Sequence, residues 1–386
     1  TSNVGVALQG YSDGRPTATL RMDARDFGVV LRYGDGPDGS DALGARDAWV
    51  FEDGGTYYMH YDAAGPRGWL ASLAMSPDQG NWEKRGPILD LGSPGEDDST
   101  SASYAVTFRD GAEWHMFYMG TRTASAPPDL VPTLPYLTMK AKAYGPAGPW
   151  AKQGDVVPFR PAPDTYYSVA ASPGQIIKIG DEFLQFFSAT TRVEAKEHVQ
   201  RTLGIARTRD LDGPWIVDQR PILPIEEQVE NASLYYEKSN ETWFLFTNHV
   251  GIDGEEFTDA VWVYWSKDPQ KWDPEDKAVV LDGKNCSWSR KGIGLPSVVA
   301  WDNLLALYYD APGDERTSHM ERNIGLAWLR LPLTPPKRSA SERATHNGTV
   351  SGRSARSRTL LTPLQGRNVP QPWRTRGRYG RAPATT

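Results

Sequence analysis

The sequence predicts an all-β chain folded as a five-bladed β-propeller, each blade a four-stranded antiparallel sheet set around a central funnel. Three observations lead there. A hairpin phrase occurs five times along the chain; its copies, measured at Tyr57, Trp114, Phe183, Trp243 and Leu305, are 57, 69, 60 and 62 residues apart; and aromatic residues are plentiful, with 14 Trp and 17 Tyr in 386 residues. A repeat of this length, a hairpin followed by more strand, cannot bury both faces of its sheet alone and is stabilised by stacking against its neighbours in a radial array.

The elements follow in order. Thr1–Asp41 is rich in Gly and Asp, with one strand expected at Phe27–Tyr33; residues 1–44 are expected to close the propeller or line its pocket. The first hairpin is RDAWVFEDGGTYYMHY at Arg46–Tyr61, where a Gly-containing turn separates two alternating apolar–polar runs. The others are TFRDGAEWHMFYMGT (Thr107–Thr121), IIKIGDEFLQFFSAT (Ile176–Thr190), LYYEKSNETWFLFTNH (Leu234–His249) and VVAWDNLLALYYDAP (Val298–Pro312). Third strands are expected at Trp69–Met75, Tyr136–Ala143, Thr202–Thr208 and Val261–Lys267, and each is followed by a tryptophan, Trp82, Trp150, Trp215 or Trp272. These tryptophans are expected to pack between blades. The fifth repeat finishes with NIGLAWLRLPL at Asn323–Leu333, so the propeller domain is assigned to 1–334. The remainder, 335–386, lacks strand periodicity and is read as a disordered tail.

Charge separates these two parts. From Pro335 onward eleven Lys and Arg stand against Glu342 alone, a net +10, which leaves −16 for Thr1–Thr334 out of the chain's total of −6. An acidic body argues against nucleic acid as a partner. No apolar run approaches the ~18 residues of a membrane span, and the single Cys286 excludes an internal disulfide. The expectation is a soluble protein, either cytoplasmic or exported after signal removal. No zinc cluster, P-loop or dinucleotide fingerprint is present.

In a propeller the starts of the innermost strands converge on the funnel. Those starts are Asp47, Ser103-Tyr104, the run Tyr167–Gly174, Glu230 and Gly294-Leu295-Pro296. Asp47 and Glu230 are two carboxylates at matching places in different blades. Glycosidic hydrolysis needs such a pair, one carboxylate to activate the nucleophile and one acid to protonate the leaving oxygen. Arg46 is expected to keep its neighbour Asp47 ionised. Trp49, Tyr104, Tyr166 and Tyr167 are candidate sugar-stacking surfaces. His249 is equally a buried structural histidine or a pocket residue.

RDAWVFEDGGTYYMHYD resembles the first blade of glycoside hydrolase family 43 and its relatives in families 32, 62, 68 and 117, where an Asp at this place is the base or nucleophile. VENASLYYEKSNETWFLFTNH resembles their fourth-blade motif, whose Glu is the general acid. The resemblance spans Ala45 to Leu333 and implies Asp47 as base and Glu230 as acid. Those families place a third carboxylate on blade three, but Ser172-Pro173 stands here where Asp-Pro is expected. Asp164 is the first candidate for that role and Asp259 the second. SHMERNIGLAW, with His319 and Arg322, resembles the last blade of family 117-like propellers, which implies His319 as a substrate ligand first and as an alternative acid second, with Arg322 beside it. Some relatives hold a calcium or sodium ion in the central channel; no cofactor is required by the implied mechanism.

The expected function is hydrolysis of a terminal glycosidic bond, with inversion, on a carbohydrate substrate. The rivals are a phosphorylase resembling glycoside hydrolase family 130, with Arg46, Lys291, Arg316 and Arg322 as candidate phosphate ligands, and a non-catalytic sugar-binding propeller. The sugar and the oligomeric state are not legible. The tail assignment yields a test: deleting 335–386 leaves melting temperature and activity unchanged, and a large drop in either would show that the tail belongs to the fold.

Overall fold

A computed structural model describes residues 13–194 and 196–337. The 338–386 part of the assigned tail, and Thr1–Ser12 of the N-terminal segment, lie outside them. Nearly all regular structure is β. Two N-terminal strands, β1 (Leu20–Arg21) and β2 (Arg25–Leu31), precede a series of antiparallel meanders. The first is β3 (Gly44–Asp53), β4 (Thr56–Gly65), β5 (Gly68–Ser76) and β6 (Glu83–Pro87). The second is β7 (Ser101–Asp110), β8 (Glu113–Thr121), β9 (Leu137–Ala143) and β10 (Ala151–Lys152). In the third, β11 (Ala170–Ser172) and β12 (Ile176–Ile179) both pair with β13 (Glu182–Thr191), followed by β14 (Gln200–Thr208) and β15 (Ile216–Val217).

The fourth meander is β16 (Val229–Glu237), β17 (Thr242–Asp253), β18 (Glu255–Ser266) and β19 (Lys277–Leu281), with β1 added in parallel at its edge. The fifth is β20 (Gly294–Trp301), β21 (Leu304–Ala311) and β22 (Asn323–Arg330), and its outer strand is β2 from the other end of the chain. A short parallel pairing of β5 with β7 joins the first two meanders into one hydrogen-bonded sheet. The β3–β4 turn is Gly54-Gly55, with φ of +60° and +82°. Two successive positive φ values match the twist of the strands they join and favour glycine at both places.

Strand alternation sends successive side chains to opposite faces, and here both faces are buried. On β17, Phe244 and Phe246 face the fifth meander, packing with Leu305 and Leu307, while Leu245 between them faces the third, packing with Leu184 and Leu203. The same division occurs all round. Leu70, Ala102 and Tyr118 pack between the first and second meanders, Phe117, Phe183 and Phe187 between the second and third. Val50, Met59, Tyr308 and Leu326 pack the fifth against the first. The outer-strand tryptophans lie in these seams: Trp82 meets Tyr308 edge-on at 5.8 Å, Trp150 meets His60 at 5.8 Å, and Trp215 meets Phe117 at 5.3 Å. Trp272 is buried with the third and fourth meanders.

A second seam runs closer to the centre. Four of the innermost strands carry a β-bulge near their start, between Arg46 and Trp49, Ser103 and Val106, Glu230 and Ser233, and Gly294 and Ser297. The bulged residues Asp47, Tyr104, Asn231 and Leu295 have φ of 53°, 44°, 58° and 63°. Each turned-out N–H needs an acceptor, and three find it on the second strand of the preceding meander. Asp47 N–H donates to Asp310 Oδ2 (2.8 Å), Tyr104 N–H to Asp62 Oδ1 (2.5 Å), and Asn231 N–H to Ser188 Oγ (2.8 Å). In the third meander Pro173 offers no N–H, and Met119, the residue in that register of the second meander, offers no oxygen.

Asp310 therefore joins the last meander to the first. Its other oxygen is paired with Arg322, and both side chains are fully buried. Asp310→Ala strands that guanidinium without its partner and is expected to destabilise the domain by ~3–5 kcal/mol. Denaturant unfolding checks this; a loss under about 1 kcal/mol, the size expected of an exposed pair, would overturn it.

Candidate active site

The bulges turn consecutive side chains toward the centre, where they line a cavity of about 530 Å³. Asp47, Glu230, His319, Arg46 and Tyr104 all lie on its wall, brought together from across the sequence. The matching of Asp47 with Glu230 is off by one residue. In strand register Glu230, opposite Asn248, corresponds to Arg46, opposite Asp62, and Asp47 corresponds to Asn231.

The other expected residues are elsewhere, each for a physical reason. Asp164 sits in an exposed turn with φ 59°, outside the cavity. Asp259 follows the wall residue Thr258 on β18 and so faces the other way, where Arg15 Nη2 meets it at 2.9 Å. His249 is fully buried behind the wall, stacked on Trp262 at 3.7 Å, with Arg15 Nη1 donating to its Nδ1 at 2.9 Å. Arg322 is spent on Asp310 and on Thr258 Oγ1 (2.9 Å), so it stiffens the wall without reaching a ligand. Trp49 donates its indole N–H to Thr107 Oγ1 at 3.1 Å and packs into the core. Tyr166 and Tyr167 pack on Phe187, and the Tyr166 hydroxyl donates to Asp218 O at 3.0 Å. These three are core aromatics. Of the basic residues expected to bind phosphate, only Arg46 lines the cavity; Lys291 is exposed and Arg316 pairs with Glu321 at 2.6 Å.

Five charged or aromatic wall residues were not anticipated: Arg201, Glu256, Trp69, Tyr136 and Phe257. Arg201 bridges two carboxylates, with Nη1 donating to Glu230 Oε2 (2.8 Å) and Nη2 to Glu256 Oε2 (2.7 Å). Asn248 Nδ2 donates to the other Glu230 oxygen at 3.3 Å. A guanidinium therefore holds Glu230 in place. Arg46 lies over the Trp69 ring at 5.2 Å, approaches Asp47 Oδ2 at 3.3 Å and donates to His319 Nδ1 at 2.9 Å.

Burial dominates the electrostatics here. It raises Asp47 above the usual carboxylate range even though Arg46 pulls the other way, with Asp310 adding to the rise. Arg46 thus favours the ionised form of Asp47 as expected, but burial and Asp310 outweigh it. Asp62, directly behind, is raised much further by burial and then by Asp47. His319 is pushed down to about 3 by burial and by Arg46, Arg322 and Arg201. A guanidinium only donates, so His319 Nδ1 accepts and Nε2 carries the hydrogen. Among the described residues no group of three or more His, Cys, Asp or Glu side chains is arranged to hold a metal ion. No helix among them is long and apolar enough to cross a membrane.

No family model and no curated protein matches this chain. Solved structures do. One, a glycoside hydrolase, aligns with a TM-score of 0.64 at 15% identity, covering 82% of this chain and 95% of that one. Zg3597, a family 117 glycoside hydrolase of the marine bacterium Zobellia galactanivorans, aligns at 0.58 and 14%, covering 84% and 98%. A member of the GH130 family of mannoside phosphorylases aligns at 0.55 and 12%, covering 88% and 98%. Further similar structures are glycoside hydrolases of families 43 and 62. The chain has the all-β fold of these propeller-type enzymes, and at these identities the likeness is one of fold.

A neutral His319 is testable directly. Its ring resonances, assigned by loss in His319→Gln, are expected to stay at their neutral positions from pH 7 down to about 4, because the folded-state midpoint is near 3. A midpoint near the ordinary ~6.5 would show that the imidazole is exposed or paired with an anion.

Proposed function

We propose that this chain is a glycoside hydrolase built on a five-bladed β-propeller spanning residues 1–334, acting on a terminal sugar. The observation that carries the reading is the convergence of Asp47 and Glu230, from the first and fourth meanders, on one cavity. Five meanders and five core seams, the last packing on the first, support the blade count. A walled cavity with Val131–Leu134 in its lining suits the end of a sugar chain better than its middle.

In this reading Asp47 removes a proton from the attacking water and Glu230 protonates the leaving oxygen, with inversion at the anomeric carbon. Arg201 donates to both Glu230 and Glu256 and so fixes the acid beside a second carboxylate. His319, neutral and donating through Nε2, serves as a hydrogen-bonding ligand of the sugar; a group half-protonated only near pH 3 is a poor store for a catalytic proton at pH 7. Hydrolysis is preferred to phosphorolysis because both cavity guanidiniums, Arg46 and Arg201, already face carboxylates. No step is routed through a metal ion.

A panel of aryl glycosides tests the reading. Asp47→Asn is expected to cripple every substrate, since each needs the water. Glu230→Gln is expected to slow substrates with poor leaving groups ~10²–10⁴-fold more than activated phenolates. Release of a sugar 1-phosphate that depends on added phosphate would make the enzyme a phosphorylase. An absence of turnover on any glycoside, with sugar binding retained, would leave a carbohydrate-binding propeller.

A further inference from the structure

Asp62 is fully buried at the back of the cavity, on β4 directly opposite Arg46 on β3. One of its oxygens, Oδ1, is fixed by the Tyr104 N–H at 2.5 Å. The other, Oδ2, has no hydrogen-bonding donor among the described residues, and neither has Asp47 Oδ1. Yet the two carboxyl groups are within hydrogen-bonding reach of each other. Two ionised carboxylates are acceptors only and repel. Two orphan oxygens in a buried, touching pair are both satisfied at once by a single proton between them.

We infer that Asp47 and Asp62 share one proton, held by Asp62 and donated to Asp47, so that Asp62 is a positioning residue for the base. This rests on the reading of Asp47 as the base. The arrangement answers two needs. The Asp62 hydroxyl hydrogen-bonds Asp47 and favours its ionised form, and the bond points the second Asp47 oxygen, Oδ2, toward Arg46. When Asp47 takes a proton from water the pair holds two, and one passes to solvent before the next turnover.

Other charged groups surround the pair. Arg46 from β3 favours ionisation, Asp310 from β21 and Glu230 from β16 oppose it, and Tyr104 from β7 contributes its backbone N–H and a phenol that stays protonated, its ionisation raised by burial first and by these same carboxylates. Three guanidiniums, Arg46, Arg322 paired with Asp310 and Arg201 paired with Glu230, stand against the four carboxylates Asp47, Asp62, Asp310 and Glu230, which leaves a proton as the remaining counter-charge. The upward shift of both aspartates, larger at Asp62, agrees with that placement.

The test has an arm that does not depend on activity. Infrared difference spectra of wild type minus Asp62→Asn at pH 7 should show the C=O stretch of a protonated carboxylic acid. Its absence from the folded wild type would overturn the inference, whatever the enzyme hydrolyses. In the kinetic arm, Asp62→Ala removes the donor, and the acid limb of kcat/KM is expected to move up by about one pH unit or more, because a buried Asp47 without that bond protonates more readily. Asp62→Asn keeps a donor toward Asp47 and an acceptor for Tyr104, and should bring the limb back toward wild type. An acid limb unmoved in Asp62→Ala would overturn the inference. Should the alanine variant fail to fold, the asparagine variant and the infrared band decide. An infrared band in an enzyme whose Asp47→Asn variant retains full turnover would sink the base assignment while leaving the shared proton in place.

Discussion

The hydrogen bond from the Asp47 N–H to Asp310 is the constraint on which the centre of the molecule depends. It repeats, with Asp62 and Ser188 as acceptors, what happens at two other seams, and of the three it is the one between the last meander and the first, where the Val50 N–H also donates to Ser297 Oγ at 2.9 Å. A left-handed backbone at Asp47, Tyr104 and Leu295 costs of order 1–3 kcal/mol at each residue. That strain persists because sheets buried on both sides, and acceptors waiting on the neighbouring sheet, over-determine the turn. The same bulge that makes the bond also aims Arg46 and Asp47 together into the cavity. Closure of the ring and presentation of the site are one local geometry.

The cavity is assembled as a charge lattice. Four carboxylates, Asp47, Asp62, Glu230 and Glu256, stand with two guanidiniums, Arg46 and Arg201; the two aspartates and Arg46 are buried and the others half-buried. In such a medium an unmatched charge is expensive, so any surplus of negative charge is met by protons or by positive charge developing on a bound molecule. An oxocarbenium-like sugar is a species of that kind. Trp69 and Arg46, stacked on one another, and the apolar run Val131–Leu134 keep water from competing.

How much of this was legible in the sequence follows from the range of each interaction. Hairpins announce themselves because alternation and turn residues are local, so the repeat, the inner strands and the seam tryptophans could be placed by reading along the chain. Asp47, Glu230 and Tyr104 were found by their position at strand starts, Arg46 as the neighbour of Asp47, and His319 by the resemblance of SHMERNIGLAW to the last blade of family 117-like propellers. Asp62 was missed although its signal was present: Tyr61-Asp62 and Tyr309-Asp310 end the same strand in the first and fifth repeats, and both aspartates serve the next bulge. Arg201 and Glu256 carry no local mark; they reach the site from β14 and β18 only because the sheets converge. Asp164, Tyr166 and Tyr167 were near the right place in sequence, but a one-residue change of facing decides between cavity and core, and spacing alone does not fix it.

The outermost strand of the fifth sheet comes from the beginning of the chain. Asp26 pairs with Ala327 and Leu31 with Ile324, so the two ends of the folded region are woven into one sheet. During synthesis β2 emerges first and has no partner until β22 follows it, some three hundred residues later. The circle therefore cannot be completed while the chain is still growing through its middle. Until then the exposed side of β2 is an unpaired edge of the sort that recruits other chains, and such distant pairings form slowly. Once locked, the same weave becomes a clasp: the ring does not open at its weakest joint unless the first and last strands part.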